Sequence, residues 1–193
     1  MSLVPAFEIG LWNAWIFMVL FLAASTVPFY IDKETSEKMT EGEPGESELE
    51  RTTRIAHVIA HIVILPFTLI YSIFLPLKLG TLWFVAGLPI CLLALAMILM
   101  FSVSLVTAPH GEPITKGVYA ISRHPAYFGF FLGFVGIGTA CASWVFLLCA
   151  LVHIVSWHFG VIEEERNLLE RYGDAYREYM NRTPRWIGMP KSR

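Results

Sequence analysis

Four long apolar runs leave this chain few ways to fold. Ile9 to Tyr30 is uncharged, Ile55 to Leu75 is uncharged apart from possible titration of His57 and His61, and Thr81 to Val103 holds no ionisable group except Cys91. The fourth, Ala126 to Ile162, stays apolar for 37 residues. A helix rises about 1.5 Å per residue and the bilayer's hydrocarbon core is about 30 Å thick, so about 20 such residues make one crossing. Each of the first three runs predicts a spanning helix, kinked at Pro66 and Pro89 in the second and third, which lipid-embedded helices tolerate. As one helix the fourth run would measure about 55 Å, so it predicts two, broken near Gly138 to Ser143.

Charge distribution tests the count. Five spans put thirteen of the fourteen Lys and Arg residues on one side of the membrane and Lys78 alone on the other, whereas four spans divide them six against eight. Basic residues collect on the cytoplasmic side, so the expectation is five spans with the amino terminus outside and the carboxyl terminus cytoplasmic. The fold class is all-α: one membrane domain over residues 1–193, with spans at about 9–30, 55–75, 81–103, 126–140 and 143–162. The last two form a helical hairpin, followed by a cytoplasmic helical tail over 163–193. Trp12, Trp15, Trp83 and Trp144 fall near outer ends and Trp157 near an inner end, where interfacial aromatics sit. No basic stretch precedes the first run, which reads as a retained helix and not a cleaved leader.

Composition narrows the function classes. Hydrophobic residues make up 55% of the chain, charged residues 16%, and the net charge is −2, which excludes a nucleic-acid footprint and a disordered acidic segment. Cys91, Cys141 and Cys149 lie inside apolar runs and read as packing residues. The connector from Ile31 to Glu50 has a solvated composition with no chemistry expected. His57 and His61 stand one turn apart, a spacing able to hold a metal, but without HExxH or a third ligand they read as packing or cavity-lining residues. No metal is expected.

Two segments share the cytoplasmic face in this topology: Thr107 to Pro125, and the stretch from Glu163 onward. An antiparallel hairpin returns to its starting side, which brings Arg123 and His124 toward Glu163 and Glu164. Anchors and ion pairs where helices leave lipid would account for such a cluster without catalysis.

The order GVYAISRHPAYFGFFLGFVG, a second apolar helix, then EEERNLLERYGDAYREYMNRTPRWIG resembles the isoprenylcysteine carboxyl methyltransferases and their phospholipid methyltransferase relatives, over Thr107 to Gly188. The resemblance implies an integral-membrane enzyme using S-adenosylmethionine and releasing S-adenosylhomocysteine. No strand followed by GxGxxG is present to suggest a Rossmann site. The implied cofactor contacts are Ile114, Gly117 and Tyr119, then His124, Pro125 and Tyr127, then Glu164 with Glu163 beside it, Arg123 supporting. Glu164 would pair the ammonium, and His124 or the amide groups of the helix after Pro125 would meet the carboxylate. Tyr119, Tyr127 and Ile114 would face the adenine. Pro125 also suits the first position of a helix for purely structural reasons. Gly129, Gly133 and Gly136 share one helix face and favour close packing over a ligand groove.

The implied acceptor is lipophilic: the carboxylate of a prenylated cysteine or analogue, or a membrane lipid. An ionised carboxylate needs no general base, whereas an amine must first lose a proton. No catalytic residue is assigned. Where the carboxyl methyltransferases carry an arginine four residues before the cofactor-contacting glutamate, this chain has Gly160, and His158 or Arg166 would have to substitute from another helical angle. Three other readings stand beside this one: a phospholipid amine methyltransferase, an oxidoreductase resembling the sterol reductases that use a nicotinamide dinucleotide phosphate, and a non-catalytic membrane scaffold.

Overall fold

The computed structural model describes residues 7–31, 59–109 and 111–190. Among them are six α-helices and no strand: α1 (Trp15–Ile31), α2 (Leu65–Ile73), α3 (Leu82–Val106), α4 (Pro125–Ala140), α5 (Trp144–Tyr172) and α6 (Asp174–Arg182). A π-helical turn, Ile59–Ile64, leads into α2, and a 3-10 turn, Gly117–Ala120, precedes α4.

The chain alternates between the two ends of this bundle. At one end Ala14 N–H donates to Leu75 O at 2.9 Å and Leu77 N–H to Trp12 O at 2.9 Å. Asn13 Nδ2 donates to Glu8 O at 2.6 Å and Ile73 O at 2.7 Å. Lys78 N–H reaches Ala140 O at 3.1 Å. The start of α1, the end of α2, the start of α3 and the end of α4 therefore meet there, which leaves the start of α4 and the end of α5 at the opposite end.

The 37-residue apolar run breaks between Ala140 and Trp144, within the expected window. Ala142 adopts a left-handed conformation (φ 51°). Ser143 N–H closes onto Gly138 O at 2.8 Å, and the Ser143 hydroxyl caps α5 by accepting from Phe146 N–H at 3.5 Å. Three expectations need correction. Pro66 does not kink a continuous helix but sits in the first turn of α2, where the π-helical turn becomes α. The acidic triplet does not begin a separate tail: α5 continues through Glu163–Glu165 to Tyr172, about 44 Å at the standard rise. Trp157 is buried against His153, Tyr127 and Phe130, inside the bundle and not in an interfacial belt.

Close backbone approach joins α3 to α4. A side chain on Gly87 would strike the backbone of Ala140, and one on Gly136 would meet Cys91 Sγ at 2.7 Å and its backbone nitrogen at 2.8 Å. Gly129 lies against Ile98 and Gly133 against Phe21. All three glycines of the α4 face are thus packing contacts. Around them Phe21, Ile98, Phe134, Ile137, Phe146 and Trp157 form the core, with Cys91, Cys141 and Cys149 as buried free thiols.

Among the described residues two helices, α3 and α5, are long and apolar enough to cross a membrane, and a third of each apolar window is buried in the protein. Leu92, Leu93, Leu99 and Val103 of α3 and Leu148, Leu151 and Val155 of α5 point outward. A core helix of a water-soluble domain would cover such a surface, whereas hydrocarbon needs no cover. His57, the connector up to Glu50 beyond Ile31, and the side chain of His61 lie outside the described residues.

Candidate cofactor site at the end of α5

The 3-10 turn starts at Gly117, whose φ of +65° suits glycine and where a side chain would collide with Ser104 Oγ. That tight approach lets Ser104 Oγ accept from Val118 N–H at 3.4 Å. It seats Val118, Ile114 and Tyr119 against Met97, Phe101 and Leu105 of α3. Past the turn, His124 is the residue preceding α4 and Pro125 its buried first residue, which needs no amide partner there.

At the level of this loop α5 carries three consecutive carboxylates, about 100° apart around the helix. Glu165 is buried, Glu163 half-buried, and Glu164 exposed. Glu165 Oε1 accepts from His124 Nε2 at 3.1 Å and from Arg185 Nε at 3.1 Å, and Glu165 Oε2 accepts from Arg185 Nη2 at 2.7 Å. Arg123 Nη1 lies 3.1 Å from Glu165 Oε1 as an ion pair, its N–H not aligned for a hydrogen bond. Glu164 Oε2 stands 3.6 Å from His124 Nδ1, with the Tyr119 and Tyr127 phenols within reach of its charge.

Burial pushes the Glu165 carboxyl upward, but the hydrogen bonds from His124 and Arg185 and the charge of Arg123 outweigh it and hold the group down at about 2. Burial works against a charge on His124, and its close contacts with Glu164 and Glu165, with the negative charges they carry, overcome it and raise the imidazole above its ordinary value. Tyr119 is raised mainly by burial, then by Glu164. Glu165 is therefore an anion and His124 favours its charged form.

The segment after α5 is bound to the loop along its length. Tyr179 Oη donates to Tyr119 O at 2.8 Å and lies 3.4 Å from Ser122 O. Arg123 N–H donates to Pro184 O at 3.1 Å, and Gly188 N–H to Ile121 O at 3.0 Å. These bonds place the Trp186 ring 6.4 Å from the rings of both His124 and His158.

Of the residues expected from the sequence, His124, Glu164, Tyr119 and Tyr127 come together. Arg123 supports them, and Pro125 and Gly117 set the backbone. Ile114 packs beside Tyr119 in the small cluster under the loop, and Glu163 lies one step back around α5 from Glu164. His124 stands beside Glu164 as expected, but Arg123 needs correction: it pairs with Glu165, which also takes the other ring nitrogen of His124 and holds the central position. The buried residues Phe146, Ala150, His153, Trp157 and Val161 already mark the inward face of α5, and the same spacing extends to Glu165. Arg185 and Trp186 carried no comparable signal.

Among the described residues no group of three or more His, Cys, Asp or Glu is placed to hold a metal. A groove of about 240 Å³ between α2 and α5, lined by Val63, Phe67, Leu148 and Val152, shares no residue with this cluster. The site's own chemistry is amphoteric. It offers an exposed carboxylate at Glu164, a charged imidazole beside it, and two buried donors without an acceptor, Tyr176 Oη and Arg123 Nε. Such a set suits a ligand carrying an ammonium and a carboxylate together with a flat apolar part.

The phospholipid methyltransferase family profile matches residues 75–175, more than half of the chain. The chain belongs to this family. Among its relatives, protein-S-isoprenylcysteine O-methyltransferase of Schizosaccharomyces pombe is 35% identical over 77 residues, 38% of this chain and 32% of that protein. The Mus musculus protein of the same name is 33% identical over 81 residues, 40% of this chain and 27% of that protein. Methanethiol S-methyltransferase 1 of Bradyrhizobium diazoefficiens is 35% identical over 78 residues, 40% of this chain and 27% of that protein. The matches thus span about a third or less of these relatives' length. No solved structure matches the chain. The family profile takes in the RHPAY loop, the hairpin of α4 and α5 and the acidic triplet, and stops short of Arg185 and Trp186.

Proposed function

We propose that this protein is an integral-membrane methyltransferase that moves a methyl group from S-adenosylmethionine to a lipophilic acceptor. The observation that carries the reading is the meeting of His124, Glu164, Tyr119 and Tyr127 at one end of the bundle, within the part of the chain that matches the family. S-adenosylmethionine supplies an electrophilic methyl group on a sulfonium. Glu164 binds the ammonium of that cofactor, His124 and the buried donors Arg123 Nε and Tyr176 Oη meet its carboxylate, and Tyr119 and Tyr127 face its adenine.

Catalysis then rests on alignment and on exclusion of water by the docked tail, with no proton transfer needed when the acceptor is a carboxylate. The isoprenylcysteine relatives favour the carboxylate of a prenylated cysteine or analogue. Gly160 favours a second acceptor class, because it leaves the place of the family's arginine without a cation, and a methanethiol methyltransferase stands among the relatives. A thiol acceptor would have to give up its proton first.

Five spans suit the alternation of helix ends and the bias of basic residues, with the amino terminus outside and the cofactor site at the cytoplasmic surface. The test is calorimetric titration of the detergent-solubilised chain with S-adenosylhomocysteine. Glu164→Gln should weaken binding at least about tenfold, the loss of one charge-assisted contact, while Glu112→Gln on the same face leaves it unchanged. Equal affinity in the parent and Glu164→Gln would end the reading.

A further inference from the structure

Three cationic groups converge on one buried carboxylate. Arg123 and His124 arrive from the loop before α4, Arg185 from the tail, and all contact Glu165. Attachment of the tail does not need so many, since Tyr179, Pro184 and Gly188 already tie it to the loop. The geometry has a narrower effect. Arg185 holds both oxygens of Glu165, which fixes the plane of the carboxylate and aims Oε1 at His124 Nε2. The Nε2 proton of His124 is thereby committed to Glu165, and the opposite ring nitrogen, Nδ1, is turned to the side where Glu164 stands.

We propose that Glu165 is a positioning residue, locked by Arg185, which holds the imidazolium of His124 so that its Nδ1–H and the Glu164 carboxylate together clamp the ammonium and carboxylate of an amino-acid zwitterion. The 3.6 Å between Nδ1 and Glu164 Oε2 exceeds a good hydrogen bond, so each group keeps capacity for a ligand. This rests on the cofactor reading and extends it: the methionine part of the cofactor is such a zwitterion. It also makes the tail part of the site, through a residue beyond the stretch that matches the family. The rings of Tyr127 and Trp186 stand 6.0 Å and 6.4 Å from the His124 ring.

Glu164 and Glu165 of α5 act on His124 directly; the other titratable groups around the pair are Arg123 and Arg185, which share Glu165 with it, and the phenols of Tyr119, Tyr127 and Tyr176, which lie within range of the Glu164 charge. Of these only the two glutamates are anions near neutral pH. The clamp exists while His124 is protonated, so ligand affinity falls as pH rises through the value at which His124 loses its proton. Removing the Glu165 charge lowers that value by about one unit, the usual effect of one close opposite charge.

Two measurements on the full chain in detergent decide it: calorimetric titration with S-adenosylhomocysteine from about pH 6 to about pH 9, and NMR titration of the His124 ring without ligand. In the parent, affinity should drop across the His124 midpoint. In Glu165→Gln both midpoints should move down by about one unit, giving about a tenfold weaker affinity at pH values above both midpoints and a smaller loss near neutrality, and Glu165→Asp should restore most of the shift. Arg185→Lys keeps the charge, loses the two-point grip, and should move both midpoints in the same direction by less. A uniform loss of affinity at every pH with an unmoved His124 midpoint would make Glu165 a mere strut and overturn the proposal. Should the parent fail to bind S-adenosylhomocysteine, the cofactor reading falls, and the NMR midpoints in parent and Glu165→Gln still decide whether Glu165 sets the state of His124.

Discussion

Arg185 grips Glu165 with two parallel hydrogen bonds, at 3.1 Å and 2.7 Å, across 20 residues of chain. The carboxylate is 4% exposed and the guanidinium 32%. Losing the grip leaves Glu165 with Arg123 and His124, so its charge stays partly compensated. Arg185→Gln should therefore cost about 1.5–3 kcal/mol, the range for hydrogen bonds to charged groups. The check is a thermal unfolding series in one detergent, with limited proteolysis after α6 expected to accelerate. An unchanged melting temperature would contradict the described pairing.

Tyr179 tests the tail's hold on the loop without touching a charge. Its hydroxyl donates to Tyr119 O while its ring stays buried beside Tyr176. Tyr179→Phe keeps the ring and removes the bond, leaving the Tyr119 carbonyl without its donor. The expected loss is about 0.5–1.5 kcal/mol, together with weaker S-adenosylhomocysteine binding, since Tyr119 is in the proposed site.

The same cluster sets a pH window for stability. Glu165 is held at about 2, below its ordinary 4.5, so its contribution is complete above about pH 4.5 and disappears as pH falls toward 2. His124 is raised above its ordinary 6.5, so its contribution is complete below about pH 6.5 and disappears as pH rises through the raised value. Melting temperature should therefore be highest between about pH 4.5 and 6.5. In His124→Gln the alkaline decline should flatten and the acid limb remain.

Much of this arrangement was legible in the residues. The 37-residue apolar run was too long for one crossing and was expected to break near Gly138 to Ser143. RHPAY and the acidic triplet marked the two strands of chain that meet. What was hidden depends on rotation about a helix axis and on tertiary docking. Glu163, Glu164 and Glu165 look alike in a string, and only the buried stripe through Trp157 and Val161 turns the third one inward. Trp157 resembles an interfacial anchor until the helix is placed, when it packs on His153 at 4.9 Å. Arg185 sits in a polar tail whose partner lies 20 residues earlier, with no periodicity to announce it.

The alternation of helix ends yields a direct test of topology. Lys78 lies at the end where α1 begins and α4 ends, and Glu112 in the loop before the 3-10 turn; both are exposed. Cys91, Cys141 and Cys149 are buried and should give little background. A membrane-impermeant maleimide added to sealed vesicles should label Lys78→Cys and Glu112→Cys from opposite faces. Labelling of both from one face would refute the five-span arrangement.

Gly87, Gly136 and Gly129 form a graded series at the α3–α4 crossing. A methyl at Gly87 meets the main chain of Ala140, and one at Gly136 meets the main chain of Cys91, neither of which yields without separating the helices. A methyl at Gly129 meets Ile98 Cγ1 at 3.0 Å, a side-chain atom able to shift by rotation. Overpacking of this kind costs about 1–3 kcal/mol, and more where backbone blocks relief. Gly87→Ala and Gly136→Ala should thus lower the melting temperature more than Gly129→Ala, against the small gain in helix propensity that alanine brings. Because α4 begins directly after His124, separating it from α3 would also disturb the site, and S-adenosylhomocysteine affinity should follow the same order. Equal stability in all three variants would mean that the two helices do not meet backbone to backbone.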